Sequence, residues 1–470
     1  MSQTVFSFAD ISVAPYKFEK IMDLHLEKAV NEHAKLTISG IVPEEMLDRY
    51  VEQADENEQI AVSVRDGERT TVIFQGIVTN MAVKAVHNVR TLTIEAQSST
   101  LLMDIRKVTR SFQNKQLTYR GLLDRIAGSY PNSDVVVEAA GGTNIGGLVV
   151  QYKETDWEFA RRLASRLHLP LIPLCSQKGM KCYIGVPDLG EPHKLDAYNY
   201  SIRKNLKDFK RKSENGVSGI DEQNSISYEV SSSMILELGS PVTFQRRKLY
   251  VYRASTRMEG GTLTNRYELR DKQGFSCPTL YAYKLAGTSL FGSIKDVSKD
   301  KVKVKLHIDG KSSSDEALWF PYSTVYSSPD GSGWYCMPEV GDEVRLYFPD
   351  EQEKNAYAAS SVDTDSSDPQ KRSDPSVKSI STKYGKQIVF KPGSVEIIGS
   401  GSLLMRLTDD GGIEINSHKK ISISAMEDIE ITGGGKVLIQ GEEGIDLKQA
   451  DASLSIMDEV KISGAKVNIE

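Results

Sequence analysis

Seven histidines, at positions 25, 33, 87, 168, 193, 307 and 418, are scattered through the 470-residue sequence. None forms the His-Glu-x-x-His pair that sets two imidazoles on one helical face to hold zinc. His168 follows Leu167 at the end of a helix-like segment, where the helix dipole accounts for it. A serine nucleophile of the α/β type is expected within Gly-x-Ser-x-Gly, and both Gly287-Thr288-Ser289-Leu290-Phe291 and Gly216-Val217-Ser218-Gly219 break that pattern. Gly433-Gly434-Gly435-Lys436 has the outline of a phosphate loop, but Val437 stands where Ser or Thr would bind magnesium, so it reads as a turn. Glu339, Asp342 and Glu343 are of the type that pair in glycoside hydrolysis, a mechanism set by a separation that sequence does not fix. Cys175, Cys182, Cys277 and Cys336 show no C-x-x-C spacing and read as buried reduced thiols. No catalytic, cofactor-binding or metal-ligating residue is therefore assigned, and a non-enzyme is expected.

The elements that carry these residues bound the function further. The composition, 39% hydrophobic and 26% charged with a net charge of −6, suits a soluble chain of about three domains and gives no reason to expect nucleic acid or an anionic membrane as principal partner. Local basic stretches such as Arg246-Arg247-Lys248 read as solvated faces. Phe6, Ala9 and Asp10 fall where a signal peptide needs a basic start and an unbroken apolar run, and no segment approaches the roughly 18 apolar residues of a membrane span. The chain is expected to be made in the cytoplasm without a signal peptide.

Up to about Gly287, strand-like and helix-like segments alternate. Thr91-Leu92-Thr93-Ile94-Glu95-Ala96 has the period of a half-buried strand. Thr155-Asp156-Trp157-Glu158 has the form of a capping box, with Phe159, Leu163 and Leu167 on one helical face beside Ala160 and Ala164. Thr118 to Ala127 reads as a second helix, with Thr118 as N-cap. Gly260-Gly261, between Leu249-Tyr250-Val251-Tyr252 and Tyr267-Glu268-Leu269, suits a tight hairpin. Five short strands then follow, at Phe291 to Ile294, Val302 to Ile308, Leu318 to Tyr322, Trp334 to Met337 and Val344 to Phe348, enough for a closed OB-fold barrel. Within it Val302, Val304 and Leu306 point inward and Lys301, Lys303 and Lys305 outward. Asp363 to Ser379 is polar and Pro-punctuated, and reads as a linker.

The tail carries an internal repeat. The pairs Met405/Leu407, Ile413/Ile415, Ile421/Ile423, Ile429/Ile431, Val437/Ile439 and Ile445/Leu447 each follow the last by eight residues. Each unit supplies one short strand with two apolar residues on one side. A unit this small cannot close a solenoid coil, which commonly takes about twenty residues. A single chain would leave its apolar stripe wet, at roughly 25 cal/mol per Å². Three identical chains wound together would bury the stripe on their axis and pair every strand edge. The spacing loosens at Leu454/Ile456, Val460/Ile462 and Val467/Ile469. The rival reading of the tail is an ordinary antiparallel meander, which explains the alternation but not so constant a spacing.

The order of a mixed N-terminal region, a small barrel and this tail resembles the VgrG proteins of type VI secretion and the hub and spike of contractile phage tails and R-type bacteriocins. Val150-Gln151-Tyr152-Lys153-Glu154-Thr155-Asp156-Trp157-Glu158-Phe159 followed by Arg161-Arg162-Leu163 is similar to a hub segment of that family, as Phe74, Gly76 and Val78 are to one of its strands. Trp334 to Pro338 followed by Gly341-Asp342-Glu343-Val344 resembles the spike barrel, where Gly341-Asp342 would reverse the chain between two strands. The resemblance implies a mainly β fold with an α+β hub: a tail-hub β-barrel region at 1–287, an OB-fold collar at 288–362, a linker at 363–379 and a trimeric intertwined β-helix needle at 380–470. It further implies a homotrimer in a phage-tail-like particle, with an inner tube protein, baseplate proteins and a PAAR-like tip protein or effector as partners. The target envelope would be punctured mechanically. No lysozyme domain stands between barrel and needle, and no His-x-His follows His418, so a separate tip protein is expected. The alternative is an OB-fold binding protein for oligonucleotide or glycan, with Lys301, Lys303 and Lys305 meeting phosphates; the sequence shows no outward aromatic platform beside them.

Overall fold

The computed structural model describes residues 5–468 except 44, 46, 88, 139–140, 313–316, 364–367, 401–402 and 467. Val467 and Ile469 of the tail and part of the linker thus lie outside the described residues. Two compact units are present, Met1–Thr364 and Asp365–Glu470.

In the first unit a 12-stranded sheet has a ten-strand path from Ile11–Ala14 through Gln59–Asp66, Arg69–Val86, Val89–Ser98, Lys35–Ile41 and Lys20–Ala29 to Arg247–Glu259, Thr262–Arg270, Ile226–Ser232 and Tyr200–Lys204, with Pro241–Phe244 and His193–Lys194 branching from Arg247–Glu259. The alternation read at 91–96 is the reason such segments are strands: Leu92, Ile94 and Ala96 are buried while Glu95 on the other face is exposed. The halves of the sheet join where Lys20–Ala29 pairs antiparallel with Arg247–Glu259, opposing Ala29 to Arg253. The Gly260-Gly261 hairpin forms as expected, both glycines taking positive φ (59° and 82°) as a two-residue turn with the twist of its strands requires. Among the described residues the sheet does not close: its path ends at two separate edges, Ile11–Ala14 and Tyr200–Lys204, so the hub barrel expected from the resemblance is an open sheet here.

Four α-helices are described: α1 (Leu47–Gln53), α2 (Tyr119–Ala127), α3 (Asp156–Arg166) and α4 (Leu206–Glu214). The start of α2 is fixed by Thr118, whose hydroxyl accepts from Gly121 N at 3.0 Å. The α3 start is a full capping box, Thr155 accepting from Glu158 N at 3.1 Å and Glu158 accepting from Thr155 N at 2.9 Å. Trp157, Phe159, Ala160, Leu163 and Ala164 of α3 pack with Leu122, Leu123 and Ile126 of α2 in one core.

The collar is a five-stranded sheet in the order Leu318–Pro321, Lys301–Leu306, Ser289–Ser298, Glu343–Tyr347, Tyr357–Ser361. Val302, Val304 and Leu306 are buried as expected. Two expectations are corrected. Trp334 to Met337 forms no strand; Trp334 and Tyr335 are exposed, and Tyr357–Ser361 pairs with Glu343–Tyr347 as the fifth strand. Among the described residues the barrel is also not closed by a ladder. Pro321, ending its strand, has no N–H to give, and the two edge strands meet only near a Tyr322–Ala358 bridge, with Ser323 N donating to Ala358 O at 2.8 Å.

The second unit holds an antiparallel meander of Lys378–Ser381, Gln387–Lys391, Ser394–Ile398, Leu404–Thr408 and Gly412–Asn416, and a three-stranded sheet of Ile445–Gln449, Ala452–Ile456 and Val460–Ser463. Between them, residues 417–444 form no strand. A single chain is therefore antiparallel meander at both ends of its repeat, with the middle units strandless between them.

Candidate functional site

The residues quoted for the hub motif converge on one buried cluster. Arg162, on the inner face of α3, is 1% exposed. Its Nε donates to Glu154 at 2.9 Å, one terminal nitrogen donates to Glu154 at 2.7 Å and to Val150 O at 2.6 Å, and the other donates to Glu353 Oε1 at 2.9 Å. Arg166, one turn on, donates to both oxygens of Glu353, at 2.8 and 2.7 Å. Glu353 belongs to the collar, in the short turn between its last two strands. Burial works to raise the Glu353 carboxyl, and Arg166 with Arg162 outweighs it, so the group stays below its usual range.

A second set of bonds positions α3. Gln151 donates to Glu154 O at 3.0 Å and to Asp156 at 2.9 Å, and Asp156 also accepts from Arg110 at 2.7 Å and Tyr130 at 2.7 Å. The motif is thus a brace of buried polar groups, each satisfied, rather than a reactive constellation. The collar is also held at Asp309, which accepts from Ser111 N at 2.6 Å, and at Leu318 N, which donates to Gln113 at 2.9 Å. Leu148 and Val150 of the hub sit inside the collar's own core, against Ile294, Val304, Leu346 and Phe348.

The smaller motifs have local causes. A Cβ at Gly76 would lie 2.1 Å from Gln97 O and 2.6 Å from the buried Phe74 ring, so the neighbouring strand's approach requires glycine there. Gly341 takes φ 99°, and Asp342 accepts from Glu339 N at 2.8 Å. Gly341 N donates to Ile294 O and Ile294 N to Asp342 O, both at 2.9 Å. The pair does not reverse the chain between two strands, as expected; it turns an irregular segment into the Glu343 strand and pins it to the strand beside it.

The twelve tail residues fall into three groups. Met405 opposes Ile415 and Leu407 opposes Ile413 directly, extending a face that also carries Ile380, Ile388 and Ile397. This face is open, with Ile413 69% and Ile415 58% exposed, and it lines a hollow of about 550 Å³. The opposite face is ionic: Glu396 accepts from Lys391 at 2.9 Å and from Arg406 at 3.1 Å, and Arg406 donates to Glu414 at 3.2 Å. Ile421, Ile423, Ile429, Ile431, Val437 and Ile439 lie exposed in the strandless stretch, and Ile445 and Leu447 on the first strand of the last sheet.

The chemistry-bearing residues do not gather. Among the described residues no group of three or more His, Cys, Asp or Glu could hold a metal. His168 takes a positive φ of 56° after α3, and its Nδ1 lies 3.0 Å from Cys277 O. Burial pushes the Cys175 thiol up to about 11 and the Cys182 thiol up to about 12, so neither supplies thiolate at neutral pH. Cys277 is half-buried and Cys336 exposed, against the expectation of four buried thiols. On the collar's outer face Trp319, 41% exposed, lies directly opposite Lys303, an aromatic neighbour the sequence reading missed because its strand register was unknown.

Residues 292–362 match the family of the type VI secretion system/phage-baseplate injector OB domain. No curated protein matches the chain. Among solved structures, the E. coli c3393 protein, described as a type VI secretion component with structural similarity to the T4 bacteriophage tail proteins gp27 and gp5, is similar at 12% identity and a TM-score of 0.54, over 75% of this chain and 99% of its own. The half-lidded Francisella PdpA-VgrG complex is similar at 10% identity and a TM-score of 0.56, over 86% of this chain and 87% of the other. Its lidless form gives 10% and 0.54, over 84% and 93%. The chain shares its overall fold with these solved structures, and its collar is the stretch that matches the injector OB domain. Among the described residues no helix is long and apolar enough to cross a membrane.

Proposed function

We propose that this chain is the hub and spike subunit of a contractile injection machine, working as a homotrimer whose intertwined tail is the puncturing needle. The observation that carries the reading is the tail itself. Three consecutive apolar pairs, Ile421/Ile423, Ile429/Ile431 and Val437/Ile439, keep the eight-residue spacing while exposed and without a strand partner in their own chain. Two further copies would supply both the missing edges and the cover for the apolar face. The buried brace at Glu353 fits the same role, since it ties the collar to the hub through charge-assisted bonds that resist shear. The inner tube protein, the baseplate and a PAAR-like tip protein or effector are the partners this function requires, and the Francisella VgrG held in complex with PdpA supports a protein cargo. The reading assigns no catalytic step.

Light scattering on the purified chain tests it. The expected mass is three times 52.1 kDa; a monomer at micromolar concentration overturns the trimeric spike.

A second reading, that the collar binds a polyanionic strand, draws on Trp319 beside Lys303 on the second and third OB strands, the usual ligand face of that fold. Titration with single-stranded oligonucleotide decides it: salt-sensitive quenching of Trp fluorescence, lost in Trp319→Ala, supports this reading, and no change removes it.

A further inference from the structure

We propose that the 12-stranded sheet is a tandem duplication whose two unused edges, Asn80–Val86 and Tyr200–Lys204, pair antiparallel between neighbouring copies of this chain, with Val83 of one copy opposite Ile202 of the next. The inference rests on the trimer proposed above and names a hub contact that the tail does not supply.

Strand order carries the duplication. Lys20–Ala29, Lys35–Ile41, Val89–Ser98, Arg69–Val86 and Gln59–Asp66 lie side by side in that order, and so do Tyr200–Lys204, Ile226–Ser232, Thr262–Arg270, Arg247–Glu259 and Pro241–Phe244. Along the chain both sets read first, second, fifth, fourth, third, with every neighbouring pair antiparallel. The likeness extends to single residues. Each hairpin of fourth and fifth strands has one register shift beside its turn-proximal half, at Val78/Asn80 and at Val251/Arg253, followed by seven residue pairs and a two-residue turn. Counting from that shift aligns Val83 with Thr256 and Ile94 with Tyr267. Followed outward through the ladders, Ile38 aligns with Val230, Leu24 with Tyr200 and Leu26 with Ile202.

Within one chain the fourth strand of the second set pairs with the first strand of the first set. Thr256 stands opposite Leu26 there, and both are buried, at 6% and 1% exposed. The reciprocal junction is absent from the single chain: among the described residues Asn80–Val86 pairs only with Val89–Glu95, and Tyr200–Lys204 only with Ile226–Val230. Val83 and Ile202, the equivalents of Thr256 and Leu26, are 37% and 58% exposed, and Tyr200, the equivalent of the buried Leu24, is 43% exposed. Apolar residues thus stand open where the junction inside the chain buries theirs.

A second copy supplies the missing strand to each edge. Because the two edges differ, the contact runs head to tail and closes into a ring at three copies. The register of the junction inside the chain, carried over, sets Met81 against Lys204, Ala82 against Arg203 and Lys84 against Ser201, so no like charges oppose one another.

The test is disulfide trapping in the full chain, with the exposed Cys336 replaced by Ser. Directly opposed strand residues lie about 4.5–5.5 Å apart at Cα, within the roughly 4.4–6.8 Å of a disulfide. On oxidation, Val83→Cys combined with Ile202→Cys is expected to give covalent dimers and trimers on denaturing, non-reducing gels, and either substitution alone to give none. Val86→Cys combined with Ile202→Cys, out of register, is expected to link at least about tenfold less, since its Cα separation exceeds the reach of a disulfide. Light scattering on the unoxidised 83/202 variant separates the failures. A monomer overturns the trimer and this contact together. A trimer in which the 83/202 pair fails to link, or links no better than the 86/202 pair, overturns the contact alone. Should the 83/202 variant not fold, Ala82→Cys with Arg203→Cys, the adjacent opposed pair, decides by the same outcomes.

Discussion

Arg166 holds both carboxylate oxygens of Glu353, at 2.8 and 2.7 Å, across 187 positions of sequence. Arg162 takes one of the same oxygens at 2.9 Å from one turn earlier on α3. Two guanidinium groups from the hub therefore converge on one collar carboxylate that water scarcely reaches, since Glu353 is 5% exposed.

Removing that carboxylate strips Arg166 of both its bonds to the collar and leaves one terminal nitrogen of Arg162 unpaired in the interior. Glu353→Ala is expected to cost about 3–5 kcal/mol, the usual loss when one partner of a buried ion pair is deleted. Urea unfolding of the variant against wild type measures it, and a loss smaller than about 1 kcal/mol, the range of exposed pairs, would mean the brace is not a buried ion pair in solution.

The pH dependence has a definite sign. Glu353 is held below its ordinary value of 4.5, so its contribution is fully present above that value and is lost as pH falls through the lowered one. Wild type should lose stability more steeply than Glu353→Gln below pH 4.5, because only wild type takes up that proton. Parallel curves in an acid titration followed by circular dichroism would contradict this.

Gly76→Ala places a methyl 2.1 Å from Gln97 O, a contact with backbone that no side-chain rotation relieves. The expected cost is about 1–3 kcal/mol, as for other overpacked sites. Gly142→Ala, where nothing lies within 4 Å, is the matched control and should change little. Equal thermal midpoints for the two variants would show that the strands spread to accept the methyl.

Ile429→Asp would bring three carboxylates together on the axis of a trimeric needle, where an apolar setting penalises charge. Sedimentation should show loss of the trimeric tail while near-ultraviolet circular dichroism of the first unit is unchanged. A variant that melts and sediments like wild type would mean that Ile429 does not face the axis.

Local periodicity made much of the architecture legible. The capping box at Thr155, the N-cap at Thr118, the Gly260-Gly261 hairpin and the Val302/Val304/Leu306 face all follow from spacings within one or two turns or strands. The brace was not legible, because nothing local links Glu154 and Arg162 to Glu353, which lies 191 positions beyond Arg162. The Trp319–Lys303 neighbourhood was hidden for the same reason, since it depends on register between strands. Trp334 to Met337 misled because aromatic residues favour strands, yet here they stand exposed beside a Pro-Asp-Gly turn at 329–331.

Leu148 and Val150 complete the apolar interior of a domain whose own strands begin about 140 residues later in the chain, at Ser289. The collar is thus not a transplantable cassette. A chimera that exchanges residues 288–362 between relatives would inherit a cavity wherever the donor's residues at 148 and 150 differ in volume. Natural recombination of these proteins should accordingly be tolerated beyond the collar, toward the tail, more readily than at the junction before it.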